Sequence, residues 1–373
     1  MSQSSSPPFR ADHVGSLLRP PELLAARAEF EAGRIPIEAL REVEDRAIRE
    51  AVRRQEEIGL RSVTDGEFRR ASWYLDFIFR LGGIERGEGV IMVPAQKGEE
   101  VVEYPAPEIR VTGRIELGDT IFADDFGFLR SVVTSATPKL SIPSPSMVTL
   151  RGTAQEAVAR GVYEDVEQVY ADLAAAYAEE LRRLHQAGCT YLQIDDTTFA
   201  FANDPGMRQM MAGEGGDPDH VHELHIRNFN RALAGRPEGM TVAVHMCRGN
   251  YRSAWFSEGG YDYVAEALFG QLQVDAFFLE YDDVRSGSFE PLRFVPPGKT
   301  VVLGLVTTKR GELESKDVLK RRVEEASRYV PLERLCLSPQ CGFASTVEGN
   351  ALTPEEQWAK LRLVVETAQE IWG

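Results

Sequence analysis

Eight short apolar runs recur along this chain, and stretches with helical periodicity separate most of them. Such alternation is typical of strands and crossover helices in a parallel α/β fold. Eight is also the number of strands that closes a β/α barrel, so we expect a single (β/α)8 TIM barrel. The predicted strands are Phe9–Val14, Arg61–Thr64, Lys139–Ile142, Thr190–Ile194, Thr241–Val244, Ala276–Leu279, Thr300–Leu305 and Arg334–Leu337.

Several helices between these runs are recognisable from apolar spacing and end signals. An apolar stripe at intervals of three and four residues predicts a helix over Tyr163–Gln186. A second helix is expected over about Ile37–Ile58. The last helix is predicted to follow Thr353, which forms a capping box with Glu356, and to end at Trp372.

Two stretches interrupt the alternation. Residues 83–128 form an insertion between the second and third predicted strands, and Glu108–Leu117 alternates polar and apolar residues around Thr112-Gly113, which predicts a β-hairpin beside the barrel. Asn203–Pro218, rich in glycine, methionine and aspartate, is expected to be a mobile loop. Because the insertion takes up the extra length, we predict one barrel domain over residues 1–373 instead of two domains.

The charge balance limits the partners of the chain. Forty-two basic against 58 acidic residues give a formal net charge of −16, so we expect no binding to nucleic acid or to anionic membranes. No segment approaches the roughly 18 apolar residues of a membrane span, and the first eight residues do not form an export signal. We therefore expect a cytoplasmic protein whose four cysteines bind metal or pack in the core instead of forming disulfides.

Potential metal ligands lie at three predicted strand ends. His245 and Cys247 are one residue apart, so both side chains point to the same side of an extended strand. For this pair alone, a buried cysteine beside a hydrogen-bonded histidine is the commoner explanation. However, Glu280 and Cys341 follow strands six and eight, and a closed barrel brings these ends around one mouth. Together the four residues form a Cys₂HisGlu set that suits tetrahedral zinc.

The donor set indicates a type of reaction. Two thiolates and one carboxylate outweigh the charge of Zn²⁺, whereas hydrolytic zinc sites use mostly neutral histidines to acidify water. A sulfur-rich zinc is better suited to holding a substrate thiol as a thiolate. The prediction is therefore transfer of an alkyl group to sulfur. The other residues of these types are expected to be structural, with Cys189 and Cys336 in the core and His220, His222 and His225 on a solvated helix.

Carboxylates form a second group at the strand ends. Glu67, Asp195 and Asp196 are candidates for binding the ammonium group of an amino acid, and Ser16 with the backbone of Gly15 for binding its carboxylate. The alternative is that these acidic residues cap helices or pair with arginines, and the residues alone do not separate the two interpretations. The nearby arginines are Arg10, Arg69 and Arg70, and the end of the first predicted strand also supplies His13 as a candidate catalytic residue.

Five motifs resemble those of cobalamin-independent methionine synthase, and more closely its short bacterial paralogues, which consist of the carboxy-terminal catalytic barrel alone. The resemblance covers nearly the whole chain. The motifs are Phe9-Arg-Ala-Asp-His-Val-Gly-Ser-Leu-Leu-Arg-Pro, Thr64-Asp-Gly-Glu-Phe-Arg-Arg, Tyr191-Leu-Gln-Ile-Asp-Asp, His245-Met-Cys-Arg-Gly-Asn and Ser338-Pro-Gln-Cys-Gly-Phe.

The resemblance implies a β/α barrel in which the four residues named above bind zinc. It also implies that homocysteine is bound by Val14, Gly15, Ser16, Glu67 and Asp195. In the family, the homocysteine thiolate accepts the methyl group of 5-methyltetrahydrofolate, and methionine is released.

The chain departs from the family pattern on the side of the methyl donor. The amino-terminal half of the two-barrel synthases is missing, and Ile142–Met147 replaces a segment with a tryptophan that contacts the pterin. The loop after the seventh strand, Val306-Thr-Thr-Lys309, lacks the family's proton-relay histidine. Lys309 is the candidate replacement if burial lowers its pKa. The predicted donor is therefore 5-methyltetrahydrofolate or another methyl donor.

Three other functions are compatible with parts of this pattern. A zinc-dependent thiol transferase that opens an epoxide would use a sulfonate thiol, which Glu67 and Asp195 would repel. A barrel hydrolase or decarboxylase would use Glu67, Asp195 and Glu280 as acid and base without a metal. A non-catalytic zinc protein is disfavoured because closed structural sites usually draw their ligands from close spacings.

Overall fold

The protein is described by a computed structural model that covers residues 6–213, 217 and 219–373. Within this part of the chain, ten strands alternate with helices. The strands are β1 (Ser62–Val63), β2 (Gly82–Lys97), β3 (Glu100–Glu116), β4 (Thr137–Pro138), β5 (Leu140–Pro143), β6 (Tyr191–Asp196), β7 (Thr241–Met246), β8 (Ala276–Glu280), β9 (Thr300–Val306) and β10 (Leu335–Pro339).

Six of these strands form a parallel sheet in the order β10-β9-β8-β7-β6-β5. At most one residue of each strand is not buried. Such continuous burial is typical of parallel strands whose two faces are both covered. The α/β class and the parallel sheet predicted from the sequence are confirmed.

Chain segments lie against both edges of this sheet. At one edge, β4 directly precedes β5 and pairs in parallel with β1. At the other edge, the Leu337 N–H donates to the Arg10 carbonyl over 2.8 Å, and the Asp12 N–H donates to the Leu337 carbonyl over 3.0 Å.

The first predicted strand, Phe9–Val14, is wrong as a continuous strand, because only Ala11 forms a β-bridge. The Asp12 carboxylate accepts from the N–H of Phe9 over 3.3 Å and from the N–H of His13 over 2.8 Å. These side-chain hydrogen bonds use backbone donors that a ladder would otherwise pair.

The helices of the described residues surround the sheet. Their bounds are α1 (Pro21–Glu31), α2 (Ile37–Glu57), α3 (Leu75–Ile78), α4 (Ala123–Val132), α5 (Ser146–Thr149), α6 (Thr153–Ala159), α7 (Val166–Gln186), α8 (Thr198–Asn203), α9 (Pro205–Gly213), α10 (Val221–Leu233), α11 (Ala265–Gln271), α12 (Lys316–Ala326) and α13 (Pro354–Trp372). Short 3₁₀-helices lie at Leu150–Gly152, Val284–Ser286, Glu290–Phe294 and Leu332–Arg334. No helix in these residues is long and apolar enough to cross a membrane.

The predicted helices occur close to their expected positions. α7 starts at Val166, because the Asp165 side chain accepts from the Gln168 N–H and caps the helix. The capping box of Thr353 and Glu356 at the start of α13 is confirmed.

The insertion contains a hairpin that is longer than predicted. β2 and β3 pair in antiparallel fashion as far as the turn after β2, where Gly98 has a φ of +63°. The turn predicted at Thr112-Gly113 is wrong, because both residues lie inside β3. Gly113 lies opposite a bulge at Gly83. A Cβ atom at Gly83 would come within 2.3 Å of the Arg114 carbonyl oxygen. The glycines at this point therefore allow two backbones to approach closely and do not form a turn.

The segment predicted as a loop, Asn203–Pro218, contains α9. The Asp204 carboxylate accepts from the N–H groups of Gly206 and Met207 over 2.8 and 3.1 Å and so caps this helix. Residues 214–216 and 218 of the predicted loop lie outside the described residues.

Candidate active site

The carboxyl ends of the parallel strands bring the predicted site residues together. Asp195 lies near the end of β6 and is paired in register with His245 near the end of β7. Glu280 ends β8, and Cys341 follows β10 by two residues. Parallel neighbours in one sheet end at the same edge, so residues far apart in sequence come into contact there.

The four predicted metal ligands form one buried cluster. One potential ligand atom from each of His245, Cys247, Glu280 and Cys341 lies within 4.8 Å of all the others. The two sulfur atoms are 3.4 Å apart. This spacing, with two sulfurs, one imidazole and one carboxylate, suits a tetrahedral zinc ion.

The protonation of the cluster supports a cation-binding role. A hydrogen bond between the two thiols holds the pKa of Cys341 well below its ordinary value and raises that of Cys247 well above it. Burial alone would lower the pKa of His245, but its contact with Cys341 and the nearby Asp195 and Glu280 carboxylates raise it. Burial raises the pKa of Glu280, and the neighbouring Cys341 adds to this effect. Crowded buried groups of this kind, all able to carry negative charge except the imidazole, are costly without a cation, so these residues fit the zinc ion that the sequence predicts.

One side chain and one backbone N–H orient the carboxylate of this cluster. Gln340 donates to Glu280 Oε1 over 3.2 Å, and the Arg248 N–H donates to Glu280 Oε2 over 3.3 Å. The buried Arg248 guanidinium also donates to the Glu280 carbonyl and to the Tyr261 hydroxyl over 3.0 and 3.1 Å. Neither residue was among the site residues predicted from the sequence, although an arginine at a buried strand end is itself an unusual signal.

Two buried carboxylates, those of Glu67 and Asp195, face a cavity of about 220 Å³. His245, Cys247 and Cys341 line the same cavity. Burial raises the pKa of Asp195 to about 7 and also raises that of Glu67, in spite of the opposing charges of Arg70 and Arg19. Glu67 Oε2 is buried and has no hydrogen-bond partner. Such carboxylates gain a charge-assisted hydrogen bond when an ammonium group enters the cavity.

The conformation of Glu67 is unusual for a residue with a side chain. Its φ is +59°, directly after Gly66 at +68°. The Asp65 carboxylate stabilises this turn by accepting from the Glu67 N–H over 2.9 Å, and Ser141 donates to Glu67 Oε1 over 2.9 Å. Backbone strain of this kind, of order 1–3 kcal/mol, is concentrated at functional sites.

The segment predicted to bind the substrate carboxylate adjoins the same cavity. Val14 and Ser16 line it, and Gly15 lies between them with a φ of +141° and with its carbonyl bound by the Thr64 hydroxyl over 2.6 Å. A Cβ atom at Gly342 would lie 1.9 Å from Ser16 Oγ, so this glycine lets the loop after β10 approach Ser16.

The two residues proposed as catalytic groups lie in different places. The Lys309 ammonium donates to Asn250 Oδ1 and to the Ala254 carbonyl over 3.2 and 3.3 Å. His13 is buried and does not line the cavity. Burial lowers the pKa of His13 to about 4, and one ring nitrogen lies 3.3 Å from the Ser62 carbonyl. The placement of His13 offers no support for the predicted catalytic role.

The structural alternatives hold for several of the other residues. Cys189 and Cys336 are buried free cysteines, as predicted. Asp196 caps α8 by accepting from the Phe199 N–H over 2.9 Å. The prediction of solvated histidines is wrong for His222 and His225, which are buried because α10 turns this face towards α8 and its neighbours.

The hairpin supplies part of the cavity wall, which the sequence did not predict. Tyr104 and Ile109 of β3 line the cavity together with Ile91 and Val93 of β2. The hairpin is joined to the loop after β7 by two backbone hydrogen bonds between Gln96 and Trp255, of 2.7 and 2.8 Å. It therefore covers the site instead of lying beside the sheet.

The family model "Cobalamin-independent synthase, Catalytic domain" matches residues 9–370. The chain is 48% identical to the uncharacterized protein YxjG of Bacillus subtilis (strain 168), over 99% of this chain and 96% of that protein. It is 25% identical to a methionine synthase of Pyrococcus abyssi (strain GE5 / Orsay), over 88% of this chain and 85% of that protein.

A solved structure gives the same result. The putative vitamin-B12 independent methionine synthase of Listeria monocytogenes superposes with a TM-score of 0.79 at 39% identity, covering 99% of this chain and 100% of that one. The chain therefore belongs to the family of cobalamin-independent methionine synthase catalytic domains.

Proposed function

We propose that the protein transfers a methyl group to the thiol of homocysteine, or of a close analogue, and releases methionine. The observation that carries the proposal is that the Cys₂HisGlu cluster and the two buried carboxylates face one cavity. An amino acid with a thiol side chain combines an ammonium group for the carboxylates with a sulfur for the metal cluster.

His245, Cys247, Glu280 and Cys341 would hold Zn²⁺, which lowers the pKa of a substrate thiol and keeps it as a reactive thiolate at neutral pH. Arg248 and Gln340 position the carboxylate ligand through the hydrogen bonds described above. Partners of this kind typically change metal affinity or activity by 10- to 100-fold.

The remaining contacts orient homocysteine. Glu67 and Asp195 accept hydrogen bonds from its ammonium group, and Ser16 with the backbone of Val14 and Gly15 binds its carboxylate. Fixing both ends of a small amino acid leaves its sulfur at the metal cluster, and orientation of this kind lowers the barrier to attack on a methyl carbon.

On the donor side, the Lys309 ammonium is held by Asn250 beside the metal cluster. Lys309 is the candidate proton donor to the leaving group of 5-methyltetrahydrofolate or of another methyl donor. His13 is assigned no step.

We also infer that the sheet is part of a (β/α)8 barrel and that residues 1–373 form one domain with 83–128 inserted. In support, the segment that precedes β1 hydrogen-bonds to β10 at one edge of the six-stranded sheet, and β4, which directly precedes β5 at the other edge, pairs with β1. Side-chain hydrogen bonds join the segment before α1 to β1 and the residue after it. Ser62 donates to Asp12 over 2.8 Å, and Thr64 donates to the Gly15 carbonyl over 2.6 Å.

A direct test measures metal content and product together. Purified protein should contain about one zinc per chain and should form methionine from homocysteine and a methyl donor. Cys247→Ala and Cys341→Ala should lose both zinc and activity, whereas Cys189→Ala, which changes a buried cysteine outside the cluster, should retain both. Full activity of the metal-free protein would refute the proposal, and calorimetric preference for a sulfonate thiol over homocysteine would favour the epoxide-opening alternative.

A further inference from the structure

We propose that the methyl donor is an organic cation, a sulfonium or quaternary ammonium compound, bound between the hairpin and the metal cluster. The inference rests on the proposed methyl transfer and names the class of its second substrate. Two properties of the cavity support the inference, its aromatic walls and its lining carboxylates. The proton balance of the leaving group is the third argument.

Aromatic rings form much of the cavity wall. Tyr104 of the hairpin packs against Tyr251 and Phe256, with ring centroids 4.9 and 5.9 Å apart. Trp73 and Tyr74 line the same cavity, with centroids 5.0 Å apart. Ring faces carry negative potential and bind methylated cations, which have no hydrogen-bond donors of their own.

The position of one of these rings depends on a glycine. A Cβ atom at Gly249 would lie 1.9 Å from the Phe256 ring, so the ring packs directly on the backbone that follows Cys247. The Gly249 N–H donates to the Cys247 sulfur over 3.2 Å. The aromatic wall is thus built onto the loop that carries a metal ligand, which keeps a bound methyl group close to the sulfur that would receive it.

The charged groups of the wall are carboxylates. Glu108 of β3 and Glu156 of α6 line the cavity in addition to the two carboxylates assigned to homocysteine. Arg110 and Arg160 pair with them but do not line it, and the described lining contains no lysine or arginine. A cation therefore meets carboxylate oxygens in this wall, whereas the arginines that could pair with the anionic tail of a polyglutamyl folate are already paired with Glu108 and Glu156 and do not line the cavity.

The leaving group also favours a cation. Within the described lining, His245 is the one histidine and belongs to the metal cluster, and Lys309, the candidate proton donor, contacts the lining residue Asn250 but does not itself line the cavity. A methylated amine leaves as an anion unless it is protonated first. In an onium donor, the homocysteine sulfur forms its bond to the methyl carbon while the C–S⁺ or C–N⁺ bond breaks. The bonding electron pair stays with the leaving atom. The products are methionine and a neutral thioether or tertiary amine, so no proton, oxidant or further reactant is required.

The first experiment compares a cation with its neutral isostere. Zinc-loaded protein with homocysteine is titrated by calorimetry with choline and with 3,3-dimethylbutan-1-ol, which have the same shape but differ in charge. We expect choline to bind about tenfold more tightly. Tyr104→Leu and Glu156→Gln should each reduce this preference, whereas Tyr329→Leu, an exposed tyrosine outside the lining, should leave it unchanged. Equal affinities for choline and the alcohol would overturn the proposal.

The second experiment identifies the donor by turnover. Zinc-loaded protein and homocysteine are incubated with a dimethylalkylsulfonium compound, a trimethylammonium compound, or mono- or triglutamyl 5-methyltetrahydrofolate, and methionine is measured by mass spectrometry. Methionine from either onium compound supports the proposal and identifies which cation is used. Methionine from the folates alone overturns it but leaves the proposed function intact. If homocysteine does not bind and no donor yields methionine, the proposed function fails. The comparison of choline with its neutral isostere then still shows whether the cavity prefers a cation.

Discussion

The sulfur atoms of Cys247 and Cys341 lie 3.4 Å apart, although 94 positions separate the two residues along the chain. The hydrogen bond between them gives the two thiols opposite pKa changes, so Cys247 keeps its proton when Cys341 has lost its own. A metal ion that binds both sulfurs must displace that proton.

This relationship predicts a pH-dependent zinc affinity. Between pH 7 and 9, binding should release the proton of Cys247 and any proton held by His245, whose pKa Cys341 raises against the effect of burial, so the association constant should rise at least tenfold per pH unit. Calorimetry in buffers with different ionisation enthalpies measures the proton count. Cys247→Ser should reduce both affinity and proton release. A proton count of zero in the unmodified protein would contradict the shared-proton interpretation.

Arg248 is predicted to support zinc binding without contacting the metal. Arg248→Met removes the hydrogen bonds to the Glu280 carbonyl and to Tyr261, and we expect zinc affinity to fall by roughly 10- to 100-fold. A competition assay with a chromogenic chelator provides the measurement. Arg293→Met, at an exposed arginine that pairs with Glu290, is the control and should bind zinc normally. Unchanged affinity in Arg248→Met would show that the guanidinium serves packing alone.

Gly342→Ala should weaken homocysteine binding more than it alters the metal site. The new Cβ atom would lie 1.9 Å from Ser16 Oγ, and overpacking of this kind destabilises by about 1–3 kcal/mol. If about 1.4 kcal/mol of this destabilisation weakens homocysteine binding, the KM for homocysteine should rise about tenfold. The zinc content should be retained. Gly118→Ala, where a Cβ atom meets nothing within 4 Å, is the matched control. An unchanged KM in Gly342→Ala would show that Ser16 does not contribute to homocysteine binding.

Glu180 makes stability depend on pH at a site remote from the cavity. Its carboxylate accepts from the Ile121 and Phe122 N–H groups, and burial raises its pKa to about 7. A carboxyl whose pKa is raised on folding stabilises the protein most below its unfolded pKa, and this contribution is lost as pH rises to 7. Relative to Glu180→Gln, the native protein should lose about 3 kcal/mol of unfolding free energy between pH 4 and 7.5.

Urea titrations of both proteins across this pH range test the prediction. Glu355→Gln, at an exposed glutamate in the first turn of α13, should follow the native protein at every pH. Parallel stability curves for the native protein and Glu180→Gln would show that the buried carboxyl does not titrate in this range.

The strand-end residues could be predicted because their pattern is local. Each parallel strand is a short apolar run, and the polar residue that follows it must lie at the carboxyl edge of the sheet. This placed His245, Glu280 and Cys341 near one another from three separate runs. The capping box at Thr353 was predictable for the same reason, since it is determined within four consecutive positions, Thr353 to Glu356.

Features that depend on long-range packing were missed. The turn predicted at Thr112-Gly113 failed because a glycine that permits two strands to approach has the same local signature as a turn glycine. The burial of His222 and His225 depends on which face of α10 meets its neighbours. The hairpin's position over the cavity depends on the backbone contact between Gln96 and Trp255, which involves no recognisable side-chain motif.

X-ray absorption at the zinc edge tests the central claim most directly. Zinc-loaded protein is measured with and without saturating homocysteine, and the number of sulfur atoms bound to zinc is compared. The account predicts two sulfurs, from Cys247 and Cys341, before homocysteine is added and three afterwards. A sulfur count that does not change on homocysteine binding would contradict the proposed role of this cluster in presenting the substrate thiolate.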